Sequence, residues 1–558
     1  MLFQLKYTLL AAVISAVSYT ALFSQNTVGL ISFDNDISAG GYNLIYPERQ
    51  SNVFLINECG ELVHIWEDAP ENRPGKTAYL LEDGNLLRSK YSPEVGAVFG
   101  SGGSGGVVEI LTWDNEVLWS YILADSFNMQ HHDVHFMENG NVLLIAWELK
   151  GLEEMLGNGF DSSNYNQVEL WPDYLREINP GTNEIEWEWH AWDHLIQDYD
   201  STKNNFGNIS GHPELIDLNY QEYAGGRQDW MHCNAIDYDP VKDQVMLSVR
   251  NFNEIWIIDH STTIAEAAGH TGGNSGKGGD LLYRWGNPKA YKKGETADRK
   301  LFFQHDAQWI DDFVNPDYEY YGKIVLFNNF ISVDISRGQI LEPVWDTLTN
   351  SYLKSDGLYL PVDFSKTISH PNSDISSSGT ASSIQIIGDG TVVICAARFG
   401  FAFELTKEGQ VAWEYRTPMK QGLPVAQGTE LSSGDNFTFQ LERYPEDFSG
   451  FISKDLSPIG FIELEPNIGF CTPTYIEDNI LDKYFELFPN PAGNHVFIKS
   501  SISGKSEWAL LDIYGRAVLE LKTNEKIFEL DLHELQNGIY FLKENKSGRI
   551  KKLVVNKG

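Results

Sequence analysis

The chain has 558 residues, 42% of them hydrophobic and 13% aromatic, which is enough for a large core plus a smaller one and excludes a disordered polymer. Its 78 Asp+Glu against 41 Lys+Arg give a formal charge of -37, and so anionic a surface argues against nucleic acid and acidic membrane as partners. The four cysteines, Cys59, Cys233, Cys395 and Cys471, stand far apart without a CxxC pair, which excludes a thiol zinc site and leaves one or two bridges open with their pairing unknown.

In chain order, MLFQLKYTLLAAVISAVSYTALFSQ opens with Lys6 and an uncharged, largely apolar run over 7–23. It predicts a signal peptide over 1–25, cleaved near Ser24 or Gln25, with an uncleaved anchor as the alternative. No later apolar run reaches the length of a membrane span, so the remainder is expected to be soluble and outside the cytoplasm. ATP and activated nucleotide donors are not dependably present there.

Between residues 50 and 465 a two-part unit recurs. One part is a strand, a turn and a strand ending in Trp or Tyr: VFLI (53–56) into LVHIW (62–66), VVEI (107–110) into VLWSY (117–121), LREI (175–178) into IEWEW (185–189), WIID (256–259) into LYRW (282–285), and FEL (403–405) into VAWEY (411–415). The other part is a strand, a Gly or Asp turn and an apolar strand, with 78–81, 132–136, 232–236, 305–309 and 382–386 in one slot. Four-strand units that cannot bury both faces alone stack radially, and the fold class predicted is all-β: a six-bladed β-propeller followed by a small C-terminal β-sandwich. Long loops over 151–171, 198–227 and 332–380 break the spacing and are where specificity is expected.

Three histidines share that slot: His132 in QHHDVHF, His232 in DWMHCNAI and His305 in FQHDAQW. Placed at the start of each innermost strand, they would converge on the central channel. Asn234, two residues after His232, is expected on the same strand face, and Arg250, closing the partner strand, at the channel mouth. His131 is expected on the opposite face and His135 partly off it, although His131 and His132 compete for the channel position. Tyr91, Phe99 and Trp192 are candidates to sandwich an aromatic ring.

The stretch TGGNSGKG (271–278) only imitates a phosphate-binding loop, with Thr where Gly is required and Gly278 in place of Ser or Thr, and it is read as a flexible loop. From Lys483 the charge balance reverses to 12 Lys+Arg against 9 Asp+Glu, and short alternating strands around Trp508 and Tyr540 mark a separate module. The predicted division is 1–25 signal peptide, 26–470 propeller, 471–482 linker and 483–558 tail.

FPNPAGN, LLDIYGR, LDLHELQNGIYFLK and RIKKLVV make the tail resemble the C-terminal sorting domain of type IX secretion cargo in Bacteroidota. The resemblance implies export, then release or attachment at the cell surface. KTAYLLEDGNLLRS, HHDVHFMENGNVLLIAWE, DWMHCNAIDYDPVKDQVMLSVRNFNEIWIID, GDLLYRWGNP and FQHDAQWI make residues 30–470 resemble the aryl-sulfate sulfotransferases that use phenyl sulfates rather than a nucleotide donor. That resemblance implies a six-bladed propeller without cofactor or metal. It implies sulfuryl transfer from an aryl sulfate to a phenol through a sulfated histidine, with His305 as nucleophile and His232, His132, Asn234 and Arg250 around it. The rival readings are a metal-dependent sulfate-ester hydrolase using His131, His132, Asp133 and His135, and a non-catalytic binding propeller.

Overall fold

The structure, a computed structural model, describes residues 26–93, 99–223, 226–333, 335–372, 377–468, 471, 485–500, 505–512, 516–546 and 550–557. The predicted signal peptide, residues 472–482 of the predicted linker and residues 513–515 of the tail motif lie outside the described residues. The chain divides into two compact units after residue 471.

Among the described residues the first unit has six antiparallel sheets of four or five strands, besides several two-stranded ones. Their inner strands are β1 (Arg73–Leu80), β2 (Asn128–Phe136), β3 (Cys233–Asp239), β4 (His305–Trp309), β5 (Ser383–Ile387) and β6 (Thr438–Tyr444). Each touches the next and β6 returns to β1, so the inner strands form a closed ring. Both faces of each sheet are covered by neighbours, which is why middle strands such as Gln244–Val249 are buried throughout, while the outer Val117–Ile122 leaves most of its side chains exposed.

Two sets of polar contacts run around this ring. Inside, Tyr79 donates to Asp133 (2.7 Å), Asp133 accepts the N–H of Ile236 (3.0 Å), Asp237 that of Trp309 (2.6 Å), and Asp306 that of Ile384 (2.6 Å). Gln385 accepts the N–H of Arg443 (2.9 Å), and Gln440 donates to Tyr79 (3.0 Å), completing the circuit. Outside, the tryptophans that end the repeats fill the wedges where sheets diverge, and their indole N–H groups reach the neighbouring sheet. Trp66 donates to the carbonyl of Thr112, Trp119 to Asn183, Trp187 to Thr262, Trp285 to the carbonyl of Pro361 and Trp413 to that of Glu58. The repeated Trp is therefore an inter-sheet pin.

The ring is closed by both ends of the unit. Tyr42–Pro47 pairs with β6, and Gly29–Phe33 adds to Val411–Arg416. Cys59 and Cys471 form a disulfide, while Cys233 and Cys395 are buried thiols, which resolves the open pairing. The second unit has a three-stranded and a four-stranded antiparallel sheet sharing one core around Phe485, Trp508 and Leu542, as expected for a small sandwich.

Burial pushes Asp133 up to about 6 and Asp306 up to about 7. Between the ordinary carboxylate value of about 4 and these values the folded chain holds protons that the unfolded chain releases, so stability falls as pH rises through that window. Asp306→Asn keeps an acceptor for Ile384 and is expected to flatten the decline of Tm with pH. An undiminished decline in the variant would refute this assignment.

Candidate functional site

Five of the six inner strands carry or follow a residue with left-handed backbone at the same level: Lys76 (φ 128°), His132 (51°), His232 (54°), Asp306 (53°) and Ser382 (89°). At the first four, strand pairing also skips register. Such bulges re-aim side chains that a regular strand would point to alternate faces, and this aims polar groups into the ring. Two expectations change as a result. His132 sits in the middle of β2 rather than at its start, and His232 lies one residue ahead of β3. Pairing jumps from Cys233 to Ala235, so Asn234 is itself the extra residue and simple alternation is not what relates it to His232.

His305, 2% exposed, opens β4. Its Nδ1 lies 2.7 Å from Asn329 Oδ1 and 3.0 Å from the carbonyl of Phe303. The amide of Asn329 is oriented by its Nδ2, which donates to the carbonyls of Ser378 (2.8 Å) and Ala381 (2.7 Å), so its oxygen must face the ring. Nδ1 therefore carries the hydrogen, and Nε2 holds a lone pair that accepts the N–H of Ala381 (3.1 Å). Burial and then the Arg250 charge hold the His305 pKa well below the ordinary imidazole value, so the ring is neutral near pH 7.

His132 and His232 meet ring to ring, centroids 4.6 Å apart at 72°. His232 Nδ1 is hydrogen-bonded to the carboxylate of Asp229, which also accepts from Ser101. Burial raises Asp229, but His232 and the Ser101 hydroxyl outweigh it and hold the carboxyl below its usual range. His132 Nδ1 is 2.8 Å from Nδ1 of His131, whose Nε2 pairs with Asp173 Oδ1 at 2.6 Å. His131 stacks on Trp147 with centroids 3.9 Å apart, so the choice between the adjacent histidines falls on His132 as the one beside His232, with His131 behind it. Burial and the neighbouring His232 hold His132 well below the ordinary pKa. The run Gly100 to Gly106, GSGGSGG, closes over this pair: Gly103 accepts the N–H of His132, and a Cβ at Gly103 would lie 2.0–2.3 Å from three ring atoms of His132. Only glycine fits there, at φ 92°.

Arg250 lies with its guanidinium 4.8 Å over the Phe303 ring, and Nη1 donates to Tyr223 (3.0 Å) and Asn251 (2.8 Å). Its buried Nε has no partner among the described residues. Asn234 donates to the carbonyl of Gln304 (2.8 Å), beside His305, and ties the two strands together. Of the aromatic candidates, Phe99 is fully buried against Trp147 and Trp171, and Tyr91 and Trp192 lie under Arg73 and Lys150. The rings beside the cluster are Phe303, stacked on Tyr223, and Phe439, tilted against His132 and edge-on to His305.

The donor set considered for a metal hydrolase does not gather at one point: His131 faces Asp173, His135 faces Asp237 at 3.3 Å, and Asp133 is held by Tyr79 and the Ile236 N–H. Sequence reading missed Asn329, Asp229, Asp173 and Gly103. The glycine run was a visible signal, whereas the others depend on which loops fold over which strand. Together the cluster offers a neutral nucleophilic nitrogen, two further imidazoles with fixed partners and a guanidinium with a free donor.

A family model for "Arylsulfotransferase (ASST)" matches residues 115–417, and one for the "Secretion system C-terminal sorting domain" matches residues 486–556. No curated protein matches the chain. Similar solved structures include a Bacteroides caccae protein of unknown function (10% identity, 73% of this chain and 100% of that one, TM-score 0.39) and virginiamycin B lyase from Staphylococcus aureus (10%, 70% and 88%, 0.31). A putative 6-phosphogluconolactonase from Bacteroides fragilis gives 11%, 73% and 98%, with a TM-score of 0.34. Likeness at that level says nothing of chemistry. The tail is a type IX sorting domain, and the sulfotransferase model takes in more than half of the chain, with His132, His232, Asn234, Arg250 and His305 inside its bounds: the chain belongs to the arylsulfotransferase (ASST) family.

Proposed function

We propose that the protein transfers a sulfuryl group from an aryl sulfate to a phenolic acceptor, without nucleotide, through a sulfated His305. The carrying observation is the unprotonated Nε2 of His305, fixed by Asn329 in a neutral ring beside Arg250. In the first half-reaction His305 Nε2 gives up the hydrogen bond from the Ala381 N–H, the N–S bond forms as the S–O(aryl) bond breaks, and the departing phenolate takes a proton from the imidazole pair. In the second, the acceptor phenol returns that proton, its oxygen attacks sulfur and the N–S bond breaks. His232 is assigned the proton transfer, because its Nδ1 is held by the Asp229 carboxylate, as the imidazole is held in catalytic triads. His131 Nδ1 and His132 Nδ1 share one hydrogen, and with it on His132 the Nε2 lone pair of that ring is left for the site.

Charge on the three sulfuryl oxygens is met by the free Nε–H of Arg250 and the second amide hydrogen of Asn234. The six sheets are read as six blades with the reaction in their central channel. The proposed division is removal of 1–25, a catalytic 26–470, a linker 471–482 and a sorting tail 483–558 that directs the protein to release or surface attachment.

Purified protein is expected to release phenol from a chromogenic aryl sulfate only with an added phenol acceptor, in excess chelator, and His305→Ala is expected to lose at least about a thousandfold. Release that needs metal but no acceptor would establish hydrolysis instead, and release that persists in His305→Ala would overturn the nucleophile. Because the His305 pKa is depressed, kcat/KM should hold on acidification past about 6.5, the ordinary histidine value. Asn329→Asp places a carboxylate at Nδ1, raises that pKa and is expected to move the acid limb to higher pH; an unmoved limb would separate Asn329 from the nucleophile. Gly103→Ala is expected to lower kcat by about a hundredfold by displacing His132, and parent-like kinetics would take His132 out of the chemistry.

A further inference from the structure

The glycine-rich segment over 271–278, which the sulfuryl chemistry leaves unused, starts and ends on potential ligands: His270 precedes it and Asp280 follows it. The two ends are pinned together, with Gly279 donating to Gly269 O (3.0 Å) and Gly278 to Gly272 O (3.0 Å). Facing them is His194, at the end of the 3-10 turn Ala191–His194. His194 is fully buried and stacked on Trp189 (6° between planes), while Trp189 donates its indole N–H to Gly279 O. A Cβ at Gly279 would lie 2.6 Å from the His194 ring, so the backbone is shaped to close on this imidazole.

The hydrogen bonding of His194 is what singles the cluster out. Its Nε2 is 2.8 Å from the carbonyl of Ala267, which can only accept, so Nε2 carries a hydrogen and is turned away from the carboxylate. Its Nδ1 points at Asp280 Oδ1, 2.9 Å away, and the same oxygen lies 2.7 Å from Nδ1 of His270. Two imidazole nitrogens of the same kind thus converge on one carboxylate oxygen, and the ligand atoms of His194, His270 and Asp280 all lie within 4.8 Å of one another.

We propose that His194 Nδ1, His270 Nδ1 and Asp280 form a three-ligand site for a divalent transition metal of the zinc type. Two imidazoles and one carboxylate suit Zn2+ rather than Ca2+ or Mg2+, which take oxygen ligands. The fourth position belongs to water, because His270 also lines a cavity of about 330 Å³ together with Trp192, Phe206 and His212. The metal clasps the 270–280 loop to the turn at His194 and is separate from the histidine cluster of the proposed sulfuryl chemistry. Losing it should loosen the loop and leave His305 in place.

The test uses the full chain without a polyhistidine tag, dialysed against chelator and titrated with Zn2+ against a competing chelator. A second group, His495, Asp531 and His533, is exposed in the sorting domain and is controlled with His533→Ala. Expected are one tight Zn2+ per chain in the parent and in His533→Ala, a rise in Tm on binding, and a four-coordinate visible spectrum with Co2+. His270→Ala, at an exposed position, should weaken Zn2+ by roughly a hundredfold and abolish the Tm rise. No tight Zn2+ in the parent, or the same affinity and Tm rise in a folded His270→Ala, would overturn the proposal and leave the cluster as a carboxylate shared by two protonated rings.

Discussion

Inner strands that belong to different sheets cannot pair with one another by a backbone ladder, yet they are buried side by side, so their inward N–H groups need another acceptor. Asp133, Asp237, Asp306 and Gln385 supply it, each reaching from one sheet to the peptide N–H of the next. The placement of every channel side chain depends on this circuit, because it fixes the level of each strand relative to its neighbours. Its cost is a set of carboxyls held in a desolvated interior, where burial drives Asp133, Asp237 and Asp306 toward the protonated form.

The same interior gives three imidazoles three different chemical characters through their partners. A neutral amide, Asn329, orients His305 without adding charge, which keeps a nucleophilic lone pair on Nε2. A carboxylate, Asp229, stands behind His232 and is hydrogen-bonded to its Nδ1. Another imidazole, His131, stands behind His132 and joins it to Asp173, whose second oxygen accepts the N–H of Cys233 at 3.2 Å. One carboxylate thus fixes a ring on one strand and the backbone beside His232 on the next.

Much of this was legible in the amino-acid order. The alternating strands, the recurring terminal tryptophans and the shared histidine slot follow from local pattern, and a sheet buried on both faces must read that way. The bulges were not legible, because a left-handed φ at His132 or His232 is imposed by packing against Gly103 and the neighbouring strand rather than by the residue's own preference. For the same reason the strand alternation expected for His232 and Asn234 did not hold. Asn329, Asp229 and Asp173 join the site only through long-range closure, which leaves no periodic trace. The disulfide could not be read either, since four distant cysteines allow several pairings.

The sheet that completes the ring takes three strands from near the amino end and its inner strand from Thr438–Tyr444, with Asn43 and Arg443 in direct hydrogen bond across 400 residues. Contacts of such sequence separation form late and slowly, because the chain between them must first be ordered. A chain that emerges amino end first must hold Tyr42–Pro47 as an unpaired edge until residue 444 is available. His132, His232 and His305 face one another only when that last strand docks. The topology therefore makes assembly of the histidine cluster a terminal event of folding, coupled to the arrival of residues 438–444.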